Sequence, residues 1–104
     1  MLDRLLSQRD GPRDGALLRF SLGNALLGEN RNEEAATELR RAVGFDPTYS
    51  AAWKLLGKAL LAAGDRDGAA EAWRQGIAAA AKRGDKQAGK EMTVFLRRLE
   101  KPVP

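Results

Sequence analysis

The chain has 104 residues, 43% of them hydrophobic and 6% aromatic, which supplies material for one core and not for two. It contains neither cysteine nor histidine, so disulfides, thiolate nucleophiles, sulfur-ligated metals and imidazole bases are excluded, and catalysis would have to rest on carboxylates or lysines. The formal net charge is +4, and the excess lies in residues 82–101, where seven basic side chains stand against three acidic ones.

Alanine and leucine dominate the apolar share, and both lose little rotamer freedom in a helix, so the composition predicts an all-α protein. At the start, Leu2, Leu5 and Leu6 mark a short helix. Asp3 and Arg4 interrupt its apolar residues, unlike the continuous apolar stretch of a secretory signal. No segment holds the roughly 20 apolar residues that span a bilayer, and a cytoplasmic location is expected. Residues 9–14 form a linker around the breaker Gly11-Pro12, which divides the chain into residues 1–14 and a helical domain over 15–104.

Residues 16–49 align without gaps with residues 50–83, a shift of 34. Leu22, Gly23 and Leu26 fall on Leu56, Gly57 and Leu60, while Ala35, Leu39 and Val43 fall on Ala69, Trp73 and Ile77. Each unit carries two apolar stripes at helical spacing, separated by polar turn residues at 28–32 and 64–67, and therefore reads as a helical hairpin. Side-chain caps are expected from Asp14 for the first helix, Asn32 for the second and Thr48 or Ser50 for the third. Asp46-Pro47 closes the first hairpin, because proline lacks an amide proton and disfavours helical geometry in the residue before it.

Gly23 and Gly57 sit inside helices, where glycine costs about 1 kcal/mol relative to alanine. Close approach of the second helix of each hairpin is the expected offset, with Ala35 and Ala69 facing the glycines. Trp53 and Trp73 are expected to fill the space between adjacent hairpins.

Beyond residue 83 another helix is predicted over 85–100, capped by Asp85, with Ala88, Met92, Phe95, Leu96 and Leu99 on one apolar stripe and Pro102 and Pro104 ending it. It serves as a cap over the inner face of the last hairpin. Two repeats are fewer than the three usually needed, so this helix and the N-terminal one must contribute to stability, or the chain pairs as a homodimer.

Trp53, Leu56-Gly57, Leu60, Ala69 and Trp73 in the second unit, and Leu22-Gly23, Leu26, Ala35, Leu39, Ala42 and Pro47 in the first, resemble the signature of the tetratricopeptide repeat family. The likeness covers about two thirds of the chain. Arg19 stands where the first unit would carry a tryptophan, Gly76 where the second would carry an alanine, and Ala81 where it would close on proline, so the last hairpin helix is expected to run on to about Lys82. The resemblance implies an α-α superhelix of two hairpins that acts as a protein-binding scaffold, without cofactor or metal. It also implies a concave groove at the second, fifth, ninth and twelfth positions of each unit: Leu17, Phe20, Asn24 and Leu27, then Ala51, Lys54, Lys58 and Leu61. Asn24 stands where some members hold a peptide's terminal carboxylate. On the cap helix the matching face carries Lys90, Val94 and Arg97.

These positions predict a basic groove with an apolar floor, suited to an acidic or carboxylate-ended peptide. An ordinary solvated helix face explains the lysines equally well. The first hairpin helix is apolar nearly all round, so the N-terminal helix is expected to fold over Phe20 and Leu17 and cover half the groove. The principal rival function is nucleic-acid binding through the basic C-terminal helix, but interleaved Asp85, Glu91 and Glu100 weaken it, and no zinc pattern or phosphate loop supports it. Glu33-Glu34, the only adjacent carboxylate pair, complements a helix dipole rather than forming an acid/base site. A membrane role is disfavoured because the core needs the cap helix's apolar stripe.

Overall fold

The computed structural model describes residues 2–101, so Met1 and residues 102–104, with the predicted stop at Pro102 and Pro104, lie outside it. Within these bounds the chain forms six helices and no strand: α1 (Leu2–Leu6), α2 (Ala16–Gly28), α3 (Asn32–Phe45), α4 (Ser50–Ala62), α5 (Arg66–Arg83) and α6 (Lys86–Glu100). The pairs α2/α3 and α4/α5 pack as antiparallel hairpins, α6 lies on α5 and α4, and α1 lies on α2. As expected from Ala81, α5 continues past the usual stop.

The two hairpins repeat in detail. The turn residues Asn30 and Gly64, 34 apart, both have left-handed backbones (φ 60° and 89°). In both turns the next amide, of Arg31 and Asp65, donates to the carbonyl of Leu26 or Leu60. Small polar residues or glycine are favoured there because a Cβ strains at positive φ.

The core runs through both hairpins into α6, with Leu22, Leu26, Leu39, Leu56 and Met92 fully buried. Gly23 and Gly57 are points of close approach, but their partners are not the expected alanines. A Cβ on Gly23 would overlap the side chain of Leu39, and one on Gly57 the indole of Trp73. Ala35 and Ala69 are fully buried elsewhere in the interface. The large residues fall opposite the glycines because each needs the space that a missing side chain leaves. Gly76 has the same logic: Trp53 Cβ would lie 2.7 Å from an added methyl, and the Met92 sulfur presses from α6.

Trp53 bridges the hairpins, as expected, with its indole N–H donating to the Pro47 carbonyl at 2.8 Å. Trp73 instead fills the interior of the second hairpin, donating to the Lys54 carbonyl at 3.1 Å and meeting Phe95 of α6 with ring centroids 5.4 Å apart.

Helix starts depart from expectation in three places. Asp85 caps α6 through the Ala88 amide as predicted, and Asp65 caps α5 through Gly68. Asn32 is already inside α3, and the residue before it, Arg31, pairs with Glu34 rather than capping. Ser50 gives its hydroxyl to Asp85 at 2.6 Å, tying the start of α4 to the start of α6, while Thr48 bonds to Asp46. Asp14 is drawn away from capping by Arg19.

Candidate functional site

The first helices α2, α4 and α6 lie side by side, each touching the next, whereas among the described residues α3 and α5 do not meet. A layer whose members are in contact, beside a layer whose members are splayed, curves toward the first. The concave side is therefore that of α2, α4 and α6.

On α2, Leu17 is 71% exposed, Asn24 is exposed, and Phe20 and Leu27 are half-buried. Helix α1 does not cover Leu17. It packs beside the opposite flank, where Leu6 and Arg9 border a crevice with Leu26 and Glu38. Phe20 is instead stacked on Tyr49, with centroids 5.0 Å apart, and burial raises the Tyr49 phenol above its ordinary range. The expected blocking of the groove is thus absent, because the linker carries α1 toward the charged flank of the first hairpin.

On α4, Ala51 is half-buried and Leu61 is 41% exposed. Lys54 pairs with Glu91 of α6 at 3.4 Å, and the Lys58 ammonium lies over the Phe95 ring, 5.1 Å from its centroid. The residues of α6 that meet α4 are therefore Glu91 and Phe95. Lys90, Val94 and Arg97 border a different space, a cleft between α5 and α6. The structure brings Lys54 and Lys58 to one side of α4 but sets Lys90 and Arg97 apart from them, and Glu91 offsets part of the positive charge. Leu61 shares a cavity of about 340 Å³ with Trp73, Phe95 and Arg98.

One constellation escaped the sequence reading. Arg19 is buried, and its guanidinium donates to Asp14 at 2.9 and 2.8 Å and to Glu38 at 3.1 and 3.3 Å. Arg9 reaches Glu38 from outside at 3.3 Å. The hydrogen bond from Arg19, then the amide of Asp10, holds the Asp14 carboxyl well below the usual carboxylate range. In the second hairpin the positions equivalent to Arg19 and Glu38 are Trp53 and Ala72, which border one crevice. The first hairpin replaces that apolar pair with ions because a polar linker, not a preceding hairpin, lies against it. The signal was present as a double polar break in the repeat.

The described residues hold no cluster of acidic side chains able to bind a metal, and no helix among them is long and apolar enough to cross a membrane. Paired helices stacked side by side, with a terminal helix closing the last pair, define an α-helical repeat protein. The tetratricopeptide repeat family model matches residues 26–89, and the chain belongs to that family. It is 61% identical over 88 residues to the TPR repeat-containing protein PA0015 of Pseudomonas aeruginosa, covering 85% of this chain and 84% of that protein. The solution structure of protein BPP2914 from Bordetella parapertussis superposes with a TM-score of 0.80 at 49% identity, covering 95% of this chain and 86% of that one. A tetratricopeptide repeat domain protein from Salinibacter ruber shares the fold, with a TM-score of 0.77 at 24% identity over 88% of this chain and 91% of that one. Members of the family are generally interaction modules rather than catalysts.

Proposed function

We propose that the protein is a binding scaffold that takes a peptide or helix of another protein on its concave face, against Phe20, Asn24, Leu27, Lys54, Lys58 and Leu61. The observation that carries this reading is the exposure of two leucines, Leu17 at 71% and Leu61 at 41%, at opposite ends of successive first helices. They lie in a family in which that side meets partners. Leaving large apolar side chains in water is unfavourable by roughly 25 cal/mol per Å², and a partner removes that cost. Lys58, exposed above Phe95, offers a cation for an acidic group or a terminal carboxylate. Lys90 and Arg97 belong to a separate surface.

The test is affinity purification from the native cell followed by calorimetry with Leu17→Glu/Leu61→Glu. Because both leucines are exposed, the variant should melt as the parent does while its affinity for the partner falls by at least about ten-fold. A partner that binds the variant as tightly as the parent would overturn the concave-face assignment.

A further inference from the structure

The cleft between α5 and α6 is distinct from the concave face and measures about 650 Å³, against about 340 Å³ for the cavity beside Leu61. Its floor is built from Ile77, Ala80 and Ala81 of α5 with Gly89 and Val94 of α6, and Val94 is 43% exposed. The repeat explains why it is open. Val43, the counterpart of Ile77, is buried at 8% exposure in the core shared by the hairpins, whereas Ile77 is only half-buried. Aligning the starts of α4 and α6 places Gly89 where α4 carries Trp53. The position that an indole fills between the hairpins is therefore vacated at this end. Small residues at 80, 81, 84 and 89 let another backbone approach closely, and the floor along α6 from Lys86 to Arg97 is about 17 Å long, three turns of helix.

Charge selects the occupant. Lys86, Lys90 and Arg97 border the cleft, and none of them has an ion-pair partner among the described residues. The one acid at its edge, Asp85, is already held by the Ser50 hydroxyl and the Ala88 amide. Two copies joined cleft to cleft would oppose six cations. A head-to-tail second copy would meet the ion cluster around Arg19 rather than an apolar face.

We propose that the α5–α6 cleft is a second docking site, which receives an amphipathic helix of another protein with an apolar stripe flanked by aspartate or glutamate. That helix lies where the next hairpin of a longer array would begin. Its apolar stripe covers Ile77, Ala80 and Val94, and its acids pair with Lys86, Lys90 and Arg97.

The probe is a fluorescein-labelled synthetic helix with leucines along one face and glutamates on both flanks, set against the same helix with lysine for every glutamate. Anisotropy of the full chain should show saturable binding of the acidic helix and at least about ten-fold weaker binding of the basic one. Lys90→Glu/Arg97→Glu should weaken the acidic helix by at least about ten-fold, while the charge-matched Arg13→Glu/Arg40→Glu, away from the cleft, should stay within about two-fold. Circular dichroism establishes that all variants are folded. In nitrogen-15 spectra the acidic helix should shift the amides of Gly84, Gly89, Thr93 and Val94. Shifts confined to α2 and α4, equal binding of both helices, equal loss in the two charge variants, or absence of binding would each overturn the proposal. So would a random DNA duplex that displaces the acidic helix from Lys86, Lys90 and Arg97, or concentration-dependent self-association that Val94→Glu abolishes.

Discussion

Replacing Gly57 by alanine sets two effects of known size against each other. Helix propensity favours alanine by about 1 kcal/mol in a helix interior. Against this, the new methyl would overlap the pyrrole edge of Trp73, whose ring is also held by Phe95, with centroids 5.4 Å apart, and by its bond to the Lys54 carbonyl at 3.1 Å. Overpacking of this kind costs typically 1–3 kcal/mol. Displacing the indole also strains a buried hydrogen bond worth about 1 kcal/mol. The net expectation is destabilisation by roughly 1–3 kcal/mol, read as a lower urea midpoint with an unchanged slope. Gly44→Ala is the internal control. Gly44 lies in α3 with nothing within 4 Å of an added methyl, so the same substitution there should stabilise by about 0.4–1 kcal/mol. A second check combines Gly57→Ala with Trp73→Ala, where the losses should be less than additive because the clash has lost one partner. If Gly57→Ala and Gly44→Ala both stabilise, the close approach of α4 and α5 at this point is wrong.

Two further perturbations address the charged groups. Arg19→Ala leaves Asp14 and Glu38 buried without their shared cation and should cost about 3–5 kcal/mol, whereas Arg19→Trp/Glu38→Ala/Asp14→Ser, which copies Trp53 and Ala72 and removes the second stranded acid, should recover much of that loss in the same urea titration; a triple variant no better than Arg19→Ala would show that the two sites are not equivalent. Stability should also be flat from about pH 5 to 8, where a chain without histidine has few titrating groups, and should fall below about pH 4. The sign follows from Asp14, lowered by the Arg19 hydrogen bond, Asp46, lowered by Arg83, and Asp85, lowered by the Ser50 hydroxyl: each binds fewer protons folded than unfolded, so its contribution is complete above the unfolded value and is lost as pH falls through the folded one. Melting temperatures that stay level down to pH 3, or that fall between pH 8 and 5, would contradict this.

Spacing made the fold legible where a feature depends on local geometry. The shift of 34 residues carried the hairpins, Asp85 before its helix carried a cap, and glycine inside an apolar helix carried a point of contact. It failed where the partner lies far along the chain. Nothing local distinguishes Ala35 from Leu39 as the residue opposite Gly23, since both fall on the inner face of α3. Lys54 looks like a solvated groove lysine until Glu91, 37 residues later, is brought within 3.4 Å. Asn32 has a good capping side chain, but the turn ends one residue earlier and Arg31 takes the boundary. The placement of Lys90 and Arg97 depended on the rotation of α6, and a helix turns about 100° per residue, so a small error in frame moves a side chain to another face.

The two ends of this short stack solve the same problem differently. Every hairpin has one face prepared for the hairpin before it and one for the hairpin after it, and among the described residues these two hairpins present one such face to α1 and the linker and the other to α6. At the N-terminal end the pair that would be Trp and Ala is Arg19 and Glu38, with Arg19 also bound to Asp14 from the linker. A buried ion pair adds little net stability compared with apolar packing, because desolvating the charges costs nearly what their attraction returns. What it does add is selectivity. An apolar hairpin docking there would strand Asp10 and Arg9 at the rim and disrupt the cluster, so the charges disfavour an apolar neighbour at this end. At the C-terminal end α6 covers the inner part of α5 through Ala88, Met92 and Leu99 but leaves Ile77 half-covered, and Gly89 stands where an aromatic ring would seal the gap. A cap selected for stability alone would carry a large apolar side chain at that position, since covering exposed apolar surface is worth roughly 25 cal/mol per Å². Substituting Gly89 by leucine should therefore stabilise the chain while excluding a docked helix, and that opposition is what an open end kept for a partner would produce.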